Sequence, residues 1–342
     1  MGGNQGGSGG IPTGGGGSGP TAGGGGTGGC DADLQSDPSN CGVCGHDCMG
    51  GNCTGGECEA VLLASGFSGG GELDVEDGMV FWVESTGISQ VAADGSTSSS
   101  QLVAAGEVKS LDAANGAVYF SRREGLSDAA LSKKVLPDGA FSNLSQAAGT
   151  INTPRNFFGV TAPANQVFFS DVFSQTVRVI PTTGGTASDF ATGEAGVSGT
   201  AVGGDTLYWV TAQGQVRAKA VLGGNVSTVA DVGSAAPHDV DATADTVAWA
   251  SGGSGAVYTK VGANVTTVVT GLSDPTDVAI DGTRLFIAVD AEGVYLAPDT
   301  QAQGAAKIAP NVSSALRLAQ DDNAIYLTTA TEIWRLAKPP VE

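Results

Sequence analysis

The sequence predicts an all-β fold made of a repeated four-strand unit, and three observations carry that prediction. First, seven similar segments follow one another after residue 60, each with a β-branched or aromatic run. Second, turn dipeptides such as Asp77-Gly78 and Asn115-Gly116 separate the strand patterns and favour the left-handed conformations of hairpins. Third, nothing after Cys58 has sustained helical periodicity. A unit of about forty residues with four strand signals is typical of the blades of a β-propeller.

The blades can be counted from one anchor position in the second strand of each unit. The anchors are Phe81, Tyr119, Phe168, Tyr208, Ala248, Phe286 and Tyr326. We therefore predict a seven-bladed β-propeller of four-stranded blades over residues 59–338. The runs VFWV and LYWV and the segment FFSDVFSQTVRVIPTTGG resemble YWTD-type and NHL-like bacterial propellers, and the resemblance covers nearly all of this region. It implies a fold, because propellers host many unrelated functions.

The ring needs a strand that the last unit lacks. That unit ends after its third strand, Glu332–Ala337, and Pro339-Pro340 follows. The segment Ala60–Ser65 has a strand pattern and precedes the first complete unit. Pairing these two segments closes the ring without a free sheet edge, so we predict this closure, with residues 339–342 as a tail.

Residues 1–29 form a Gly/Ser/Thr/Pro tract of low complexity, which predicts a disordered, flexible tether. No apolar run approaches the ~18 residues of a membrane helix, and no signal-peptide core follows Met1. A tether suggests attachment. Our hypothesis is a processed, lipoprotein-like chain with a possible lipid anchor at its native N-terminus, located outside a bacterial cell or on its outer surface.

Residues 30–58 hold all six cysteines: Cys30, Cys41, Cys44, Cys48, Cys53 and Cys58. Their small polar neighbours cannot build a hydrophobic core, so bonds or a metal must hold the segment. Haem attachment would need a histidine directly after the second cysteine of CGVC, but Gly45 precedes His46. A redox pair would need a helix N-terminus, and a zinc site would lack the two-pair spacing of a zinc ribbon. Three disulfides suit the even count best.

The same segment has a familiar spacing. The run SDPSNCGVCGHDCMGGNCTGGEC, Ser36–Cys58, resembles the stigma-specific-protein-like modules that precede propeller domains in bacterial secreted proteins. This resemblance implies export and a disulfide-linked module, and it implies no chemistry.

The charge is strongly acidic, with 35 Asp and Glu against 15 Lys and Arg and a net charge of −20. Such a polyanion is repelled by the phosphates of nucleic acids. We therefore expect no nucleic-acid partner.

The first strand of each propeller blade lines the central channel and starts at one face, called the top face here. Counting back from the anchors predicts a set of oxygen ligands at the channel mouth: Glu72, Asn156, Asp239 and Asp277. Hard oxygen ligands in a ring favour Ca²⁺, which would be the only cofactor. In the alternative interpretation, the aspartates of PHDV and PTDV cap their own turns. Lactonase-like propellers use channel carboxylates with Ca²⁺, so the resemblance makes a Ca²⁺-dependent hydrolase the alternative function.

Other catalytic signals are weak, and no catalytic residue is predicted with its partners. His238, the propeller's single histidine, could act as a general base. Lyases resembling the streptogramin-inactivating type use more than one propeller histidine, and this chain departs from that pattern. Ser68 in GFSGG lacks the strand–turn–helix context of a nucleophile.

Basic residues are concentrated in the second unit. The segment Ser121–Lys134 predicts an enlarged loop on the top face, and its alternative interpretation is a solvated insertion. The predicted ligand contacts are Arg122, Arg123, Lys133, Lys134 and Arg317. We expect a monomeric binding module that contacts a protein or polysaccharide through its top face.

Overall fold

The computed structural model describes residues 31–125, 127–149, 155–233, 237–298 and 304–341. Residues Ala32–Glu342 form one compact unit. The predicted tether at 1–29 and Cys30 lie outside the described residues. No helix among the described residues is long and apolar enough to cross a membrane.

The described strands build a two-stranded hairpin and seven four-stranded antiparallel sheets. The hairpin is β1 (Cys53–Thr54) and β2 (Glu57–Cys58), and β3 (Val61–Ser65) follows. Blade 1 contains β4 (Leu73–Glu76), β5 (Met79–Glu84), β6 (Gly87–Ala92) and β7 (Ser100–Ala104). Blade 2 contains β8 (Val108–Ala114), β9 (Ala117–Glu124), β10 (Asp128–Val135) and β11 (Phe141–Ala147). Blade 3 contains β12 (Phe157–Thr161), β13 (Gln166–Asp171), β14 (Thr176–Pro181) and β15 (Ser188–Thr192).

The remaining blades repeat this order. Blade 4 contains β16 (Thr200–Gly203), β17 (Thr206–Val210), β18 (Gln215–Ala220) and β19 (Ser227–Asp231). Blade 5 contains β20 (Pro237–Ala242), β21 (Thr246–Ser251), a short 3₁₀ helix (Gly252–Ser254), β22 (Ala256–Val261) and β23 (Asn264–Thr270). Blade 6 contains β24 (Pro275–Asp281), β25 (Arg284–Val289), β26 (Gly293–Pro298) and β27 (Ala306–Ile308). Blade 7 contains β28 (Arg317–Gln320), β29 (Ala324–Thr328) and β30 (Glu332–Ala337), and β3 completes it.

The predicted fold is confirmed: the chain is an all-β, seven-bladed propeller of four-stranded blades. Ring closure also follows the prediction, because β3 pairs antiparallel with β30 and places Leu62 opposite Trp334. The last blade is therefore built from both ends of the propeller sequence.

The core lies between the faces of neighbouring blades. Phe81 of blade 1 packs in one cluster with Phe120 of blade 2, and Phe168 of blade 3 packs with Trp209 of blade 4. These four side chains are almost completely buried. The second strand of each blade is covered by sheets on both sides, which explains its continuous hydrophobic and aromatic run.

The cysteine-rich segment is held by disulfides, as predicted. Cys41 is bonded to Cys53 and Cys48 to Cys58, and Cys44 is also disulfide-bonded. Hydrogen bonds join its turns, for example from the Cys41 amide to the His46 carbonyl oxygen.

One expectation about blade 2 is wrong. The predicted top-face loop Ser121–Lys134 is mostly the extended hairpin of β9 and β10, whose strands pair from Glu124–Asp128 down to Ala117–Val135. The physical reason is burial: the consecutive residues Ala129–Ser132 of β10 are buried, whereas Lys133 and Lys134, which follow them, are partly exposed. Because the strands are antiparallel, these two lysines lie toward the opposite, bottom face.

Candidate functional site

The central channel contains two layers of side chains from the first strands of the blades. The lower layer pairs directly with the second-strand anchors and comprises Asp74, Asp112, Thr161, Ala201, Asp241, Ala279 and Ala319. The upper layer lies two residues earlier, nearer the top face, and comprises Glu72, Ser110, Gly159, Gly199, Asp239, Asp277 and Arg317. Residues of both layers line a cavity of about 490 Å³.

Asn156 does not belong to the upper layer, which corrects one expected position. Thr161 pairs with the anchor Phe168, so Gly159, two residues before Thr161, occupies that position instead. The Asn156 side-chain oxygen instead accepts a hydrogen bond from Arg123 at 2.9 Å. The other six upper-layer residues precede their anchors by nine positions, and the same spacing from Phe168 leads to Gly159, whereas Asn156 lies twelve positions before this anchor.

Lower-layer carboxylates connect neighbouring blades. Asp74 accepts hydrogen bonds from its own neighbour Val75 (2.7 Å) and from Ala113 of blade 2 (2.6 Å). Asp112 accepts one from the Ala162 amide of blade 3 at 2.9 Å. Asp241 likewise accepts one from the Ile280 amide of blade 6 at 2.8 Å. An innermost strand has one unpaired edge, and these carboxylates satisfy its N–H groups, which would otherwise cost free energy.

In the upper layer, side chains also accept hydrogen bonds from amides of the next blade, at two boundaries between blades. Asp277 is 6% exposed and accepts hydrogen bonds from Val278 and from Leu318 of blade 7, both at 2.7 Å. Ser110 Oγ accepts one from the Val160 amide of blade 3 at 3.0 Å. Asp239 accepts one from its own neighbour Val240 at 2.8 Å. Asp239 and Asp277 thus each accept from the amide of the next residue within a strand, and Asp277 also joins two blades.

Withdrawal from water raises the pKa values of the channel aspartates: Asp74, Asp112, Asp239, Asp241 and Asp277. Burial raises the pKa of Asp112 to about 6 and that of Asp277 to about 7. For Asp239, burial is the largest cause of the raised pKa, followed by the negative charges of Asp277 and Glu72. The channel therefore binds protons near neutral pH that these groups would release in water.

A guanidinium group occupies the acidic part of the upper layer. Arg317 Nε lies 3.1 Å from Glu72 Oε1, and the positive charge of Arg317 lowers the pKa values of Asp239 and Asp277. Among the described residues, only Cys41, Cys48 and Cys58 bring three His, Cys, Asp or Glu ligand atoms within 4.8 Å of one another, and these belong to two disulfides. The carboxylates around Arg317 thus already have a cation, and the calcium site stays a prediction.

Blades 3 and 4 line the channel without charge. The Thr200 hydroxyl donates to the Gly159 carbonyl oxygen at 2.8 Å, and Thr161 Oγ1 lies 2.6 Å from Thr200 Oγ1. A methyl group built on Gly199 would lie 2.1 Å from Asp239 Oδ1, so this glycine makes room for the carboxylate of blade 5. We call blades 3 and 4 the neutral arc, and blades 5, 6, 7, 1 and 2 the acidic arc.

His238 lies at the top of blade 5 and has an acidic neighbour that the sequence did not reveal. A methyl group built on Gly252 would lie 2.1 Å from Asp274 Oδ1 and 3.0 Å from His238 Nε2. Both side chains therefore lie against the Gly252 backbone, and a larger residue would not fit there. His238 as a general base stays a prediction.

The predicted basic contacts all have partners within the chain. Arg122 is paired with Glu124, and Arg123 lies 2.9 Å from Glu107. On the bottom side, the Lys133 and Lys134 ammonium groups donate to backbone carbonyl oxygens of the chain. The expected basic surface is thus divided between two faces and partly neutralised by ion pairs, while its role in ligand contact is untested.

The top face instead presents an aromatic ring. Phe173, in the turn between β13 and β14, is 55% exposed, and the Arg155 guanidinium lies over it, 4.4 Å from its centroid. Arg155 also donates to both carboxylate oxygens of Asp171 at 3.0 and 2.8 Å, and the Asp171 side chain is only 2% exposed. A buried carboxylate thus fixes an arginine against an exposed ring, and we call Asp171, Arg155 and Phe173 the aromatic platform.

Sequence reasoning missed two parts of this arrangement. The lower layer could have been found, because Asp74, Asp112 and Asp241 each occupy the same position relative to an anchor. The aromatic platform could not, since Arg155 and Phe173 belong to different loops and no repeat marks them.

Solved structures show what the fold is similar to. Virginiamycin B lyase from Staphylococcus aureus aligns with a TM-score of 0.68 and 14% identity, covering 82% of this chain and 99% of the lyase. A catalytically inactive variant of that lyase with quinupristin aligns with a TM-score of 0.64 and 15% identity, with the same coverages. No protein-family model matches the sequence, and no curated protein is significantly similar to it. At these identities the likeness shows the propeller fold alone.

Proposed function

We propose that this protein is an extracellular recognition module that contacts a protein or polysaccharide through the top face of its propeller. The observation that carries this proposal is the aromatic platform. Aromatic and arginine side chains are the residues most often responsible for binding energy at interfaces. Here the ring is exposed and the arginine is already fixed by Asp171, so little conformational entropy is lost on binding.

The test is binding to an array of bacterial surface polysaccharides and to purified envelope proteins. Phe173→Ala should weaken binding of the selected ligand at least about tenfold, since truncation of a central aromatic hot spot typically costs about 2 kcal/mol or more. Leu222→Ala is the matched control, because Leu222 is 93% exposed in a turn on the bottom face. Loss of binding in the Leu222 variant, with Phe173→Ala unaffected, would place the contact on the wrong face and reject the proposal.

Two features support export. Disulfides persist in oxidising compartments, and the described cysteines are all paired. The resemblance of Ser36–Cys58 to modules of secreted bacterial proteins points the same way. A bacterial outer-surface location, a lipid anchor and a monomeric state are parts of this proposal, and fractionation, mass spectrometry of the native N-terminus and light scattering test them.

The alternative function is a Ca²⁺-dependent hydrolase, and one set of measurements distinguishes it from the recognition module. Elemental analysis and thermal melts with and without EDTA should show no bound calcium and no change in melting temperature, because Arg317 already lies among Glu72, Asp239 and Asp277. Stoichiometric calcium with an EDTA-sensitive melt would favour the hydrolase instead.

A further inference from the structure

We propose that the cysteine-rich module, residues 32–58, is a redox-sensitive latch that holds the ring-closing strand β3 in blade 7. The module is joined directly to β3 and contacts the blades on both sides of the closure. Ala60, between them, donates its amide hydrogen to Asn311 Oδ1 at 3.0 Å and accepts from Asn311 Nδ2 at 2.9 Å. The entrance to β3 is thus fixed to the last blade boundary before pairing with β30 begins.

Two further contacts bind the module to the end of the propeller. His46 lies with one ring nitrogen 2.7 Å from the Cys41 carbonyl oxygen and the other 3.0 Å from that of Lys338, just after β30. Arg335 of β30 is 5% exposed and donates to the carbonyl oxygens of Met49 in the module and of Ala93 in blade 1. One arginine therefore links the module, the closing blade and the first complete blade.

The disulfide sulfurs are part of the hydrophobic contact itself. Cys41, Cys48, Cys53 and Cys58 are at most 7% exposed and belong to one cluster with Val312 and Leu336 of the closing region. The bridged cysteines are 12 and 10 positions apart, and the segments between them hold almost no other apolar side chains. Without the bridges this segment has no core that would keep its docking surface in shape.

The pairing of β3 with β30 depends on this support because β3 is short. It has five residues, and only Ala64 among them is fully buried. A short strand with few buried side chains is stabilised mainly by its hydrogen bonds and by what fixes its ends. When the module loosens, the edge of β30 becomes exposed.

The switch needs a small thiol reductant as co-reactant. A thiolate attacks one sulfur of Cys48–Cys58 and forms a mixed disulfide, and a second thiol then releases the cysteine. Two thiols of the reductant are oxidised to one disulfide, and the two sulfurs of the protein bridge are reduced to thiols. A cavity of about 690 Å³ lined by His46 and Met49 reaches this side of the module, and the His46 ring nitrogens lie 4.0 Å from Cys58 Sγ.

Amide hydrogen exchange of the full chain, with and without dithiothreitol, tests the latch. Reduction should accelerate exchange in β3 and in its partner β30 by at least about tenfold, while β17 of blade 4 stays unchanged. Unchanged exchange in β3 after verified reduction would overturn the proposal. Equal acceleration in β3 and β17 would also overturn it, because the disulfides would then stabilise the whole chain.

A variant with intact disulfides separates docking from redox chemistry. Asn311→Ala removes both bonds to Ala60 and should accelerate exchange in β3 under oxidising conditions. Asn225→Ala, an exposed asparagine in a bottom turn of blade 4, is the matched control and should exchange like the wild type. If Asn311→Ala also exchanges like the wild type, the docking contact does not hold β3 and the latch is rejected.

Discussion

The two arcs of the channel provide hydrogen-bond partners for the inner edges of their strands in opposite ways. In the acidic arc, carboxylates such as Asp277 and Asp241 accept hydrogen bonds from amides of the next blade. In the neutral arc, the hydroxyl of Thr200 donates to a carbonyl oxygen of blade 3. An exposed strand edge offers both N–H and C=O groups, so a carboxylate acceptor and a hydroxyl donor can each join neighbouring blades by a hydrogen bond. The two arcs differ in their response to pH, because a carboxylate removed from water changes its protonation with pH and a hydroxyl does not.

The largest loss of stability is expected from removing one hydrogen-bond acceptor of the acidic arc. Asp277→Ala leaves the Val278 and Leu318 amides without their partner in a buried position. Such unsatisfied donors typically cost about 1–3 kcal/mol each, so the free energy of unfolding should fall by roughly 2–6 kcal/mol. Chemical denaturation measures this. A loss below about 0.5 kcal/mol would mean that this carboxylate does not stabilise the boundary between the blades that it joins.

A change of stability of comparable size is expected from pH. The pKa values of Asp112 and Asp277 are raised by burial to about 6 and about 7, from the 3.8 of an aspartate in water. The folded state thus binds more protons than the unfolded state between these values, and stability falls as pH rises. For these groups the free energy of unfolding should be highest below about pH 4 and decrease by several kcal/mol up to about pH 7, since each tenfold change in proton affinity corresponds to about 1.4 kcal/mol.

The matched comparison is a double variant, Asp112→Asn with Asp277→Asn. Each asparagine keeps an acceptor oxygen but cannot titrate, so the dependence between pH 4 and pH 7 should be flatter than in the wild type, as a series of denaturation curves would show. Identical pH profiles for the two proteins would assign the dependence to other groups.

The smallest loss of stability is expected from a substitution in the neutral arc. Thr200→Val removes the bond to Gly159 and the contact with the Thr161 hydroxyl, at a cost of about 1 kcal/mol. Because no charge is involved, the loss should be the same at pH 4 and pH 7. A loss that varies with pH would show that the two arcs are electrostatically coupled and that their separation here is wrong.

The fold could be predicted from the sequence because its signals are local. Each blade has a hydrophobic second strand and turn residues within a few positions, and the closing segment before blade 1 has the same alternation. The hairpin of β9 and β10 could not be recognised in this way, because charged residues such as Arg122 and Lys133 resemble a loop in composition, although each continues a strand whose preceding residues are buried.

The site was less predictable because its partners are distant in sequence. Asp74 has the same spacing in its repeat as Asp112, but its amide partner Ala113 lies in the next blade, 39 positions away. Likewise, no motif pairs Arg155 with Phe173 or His238 with Asp274. Periodicity identifies a position in a blade, whereas function here depends on contacts between blades.

The closing of the ring also sets an order of events in folding. Ala60 and Asn311 bond each other across 251 positions, whereas the bridges Cys41–Cys53 and Cys48–Cys58 span only 12 and 10. Short loops close quickly, and contacts between distant segments form slowly. In an oxidising compartment the module can therefore form its bridges without any blade, whereas β3 must wait for β30. A segment that needs only its own bridges is thus the template on which the last blade is completed.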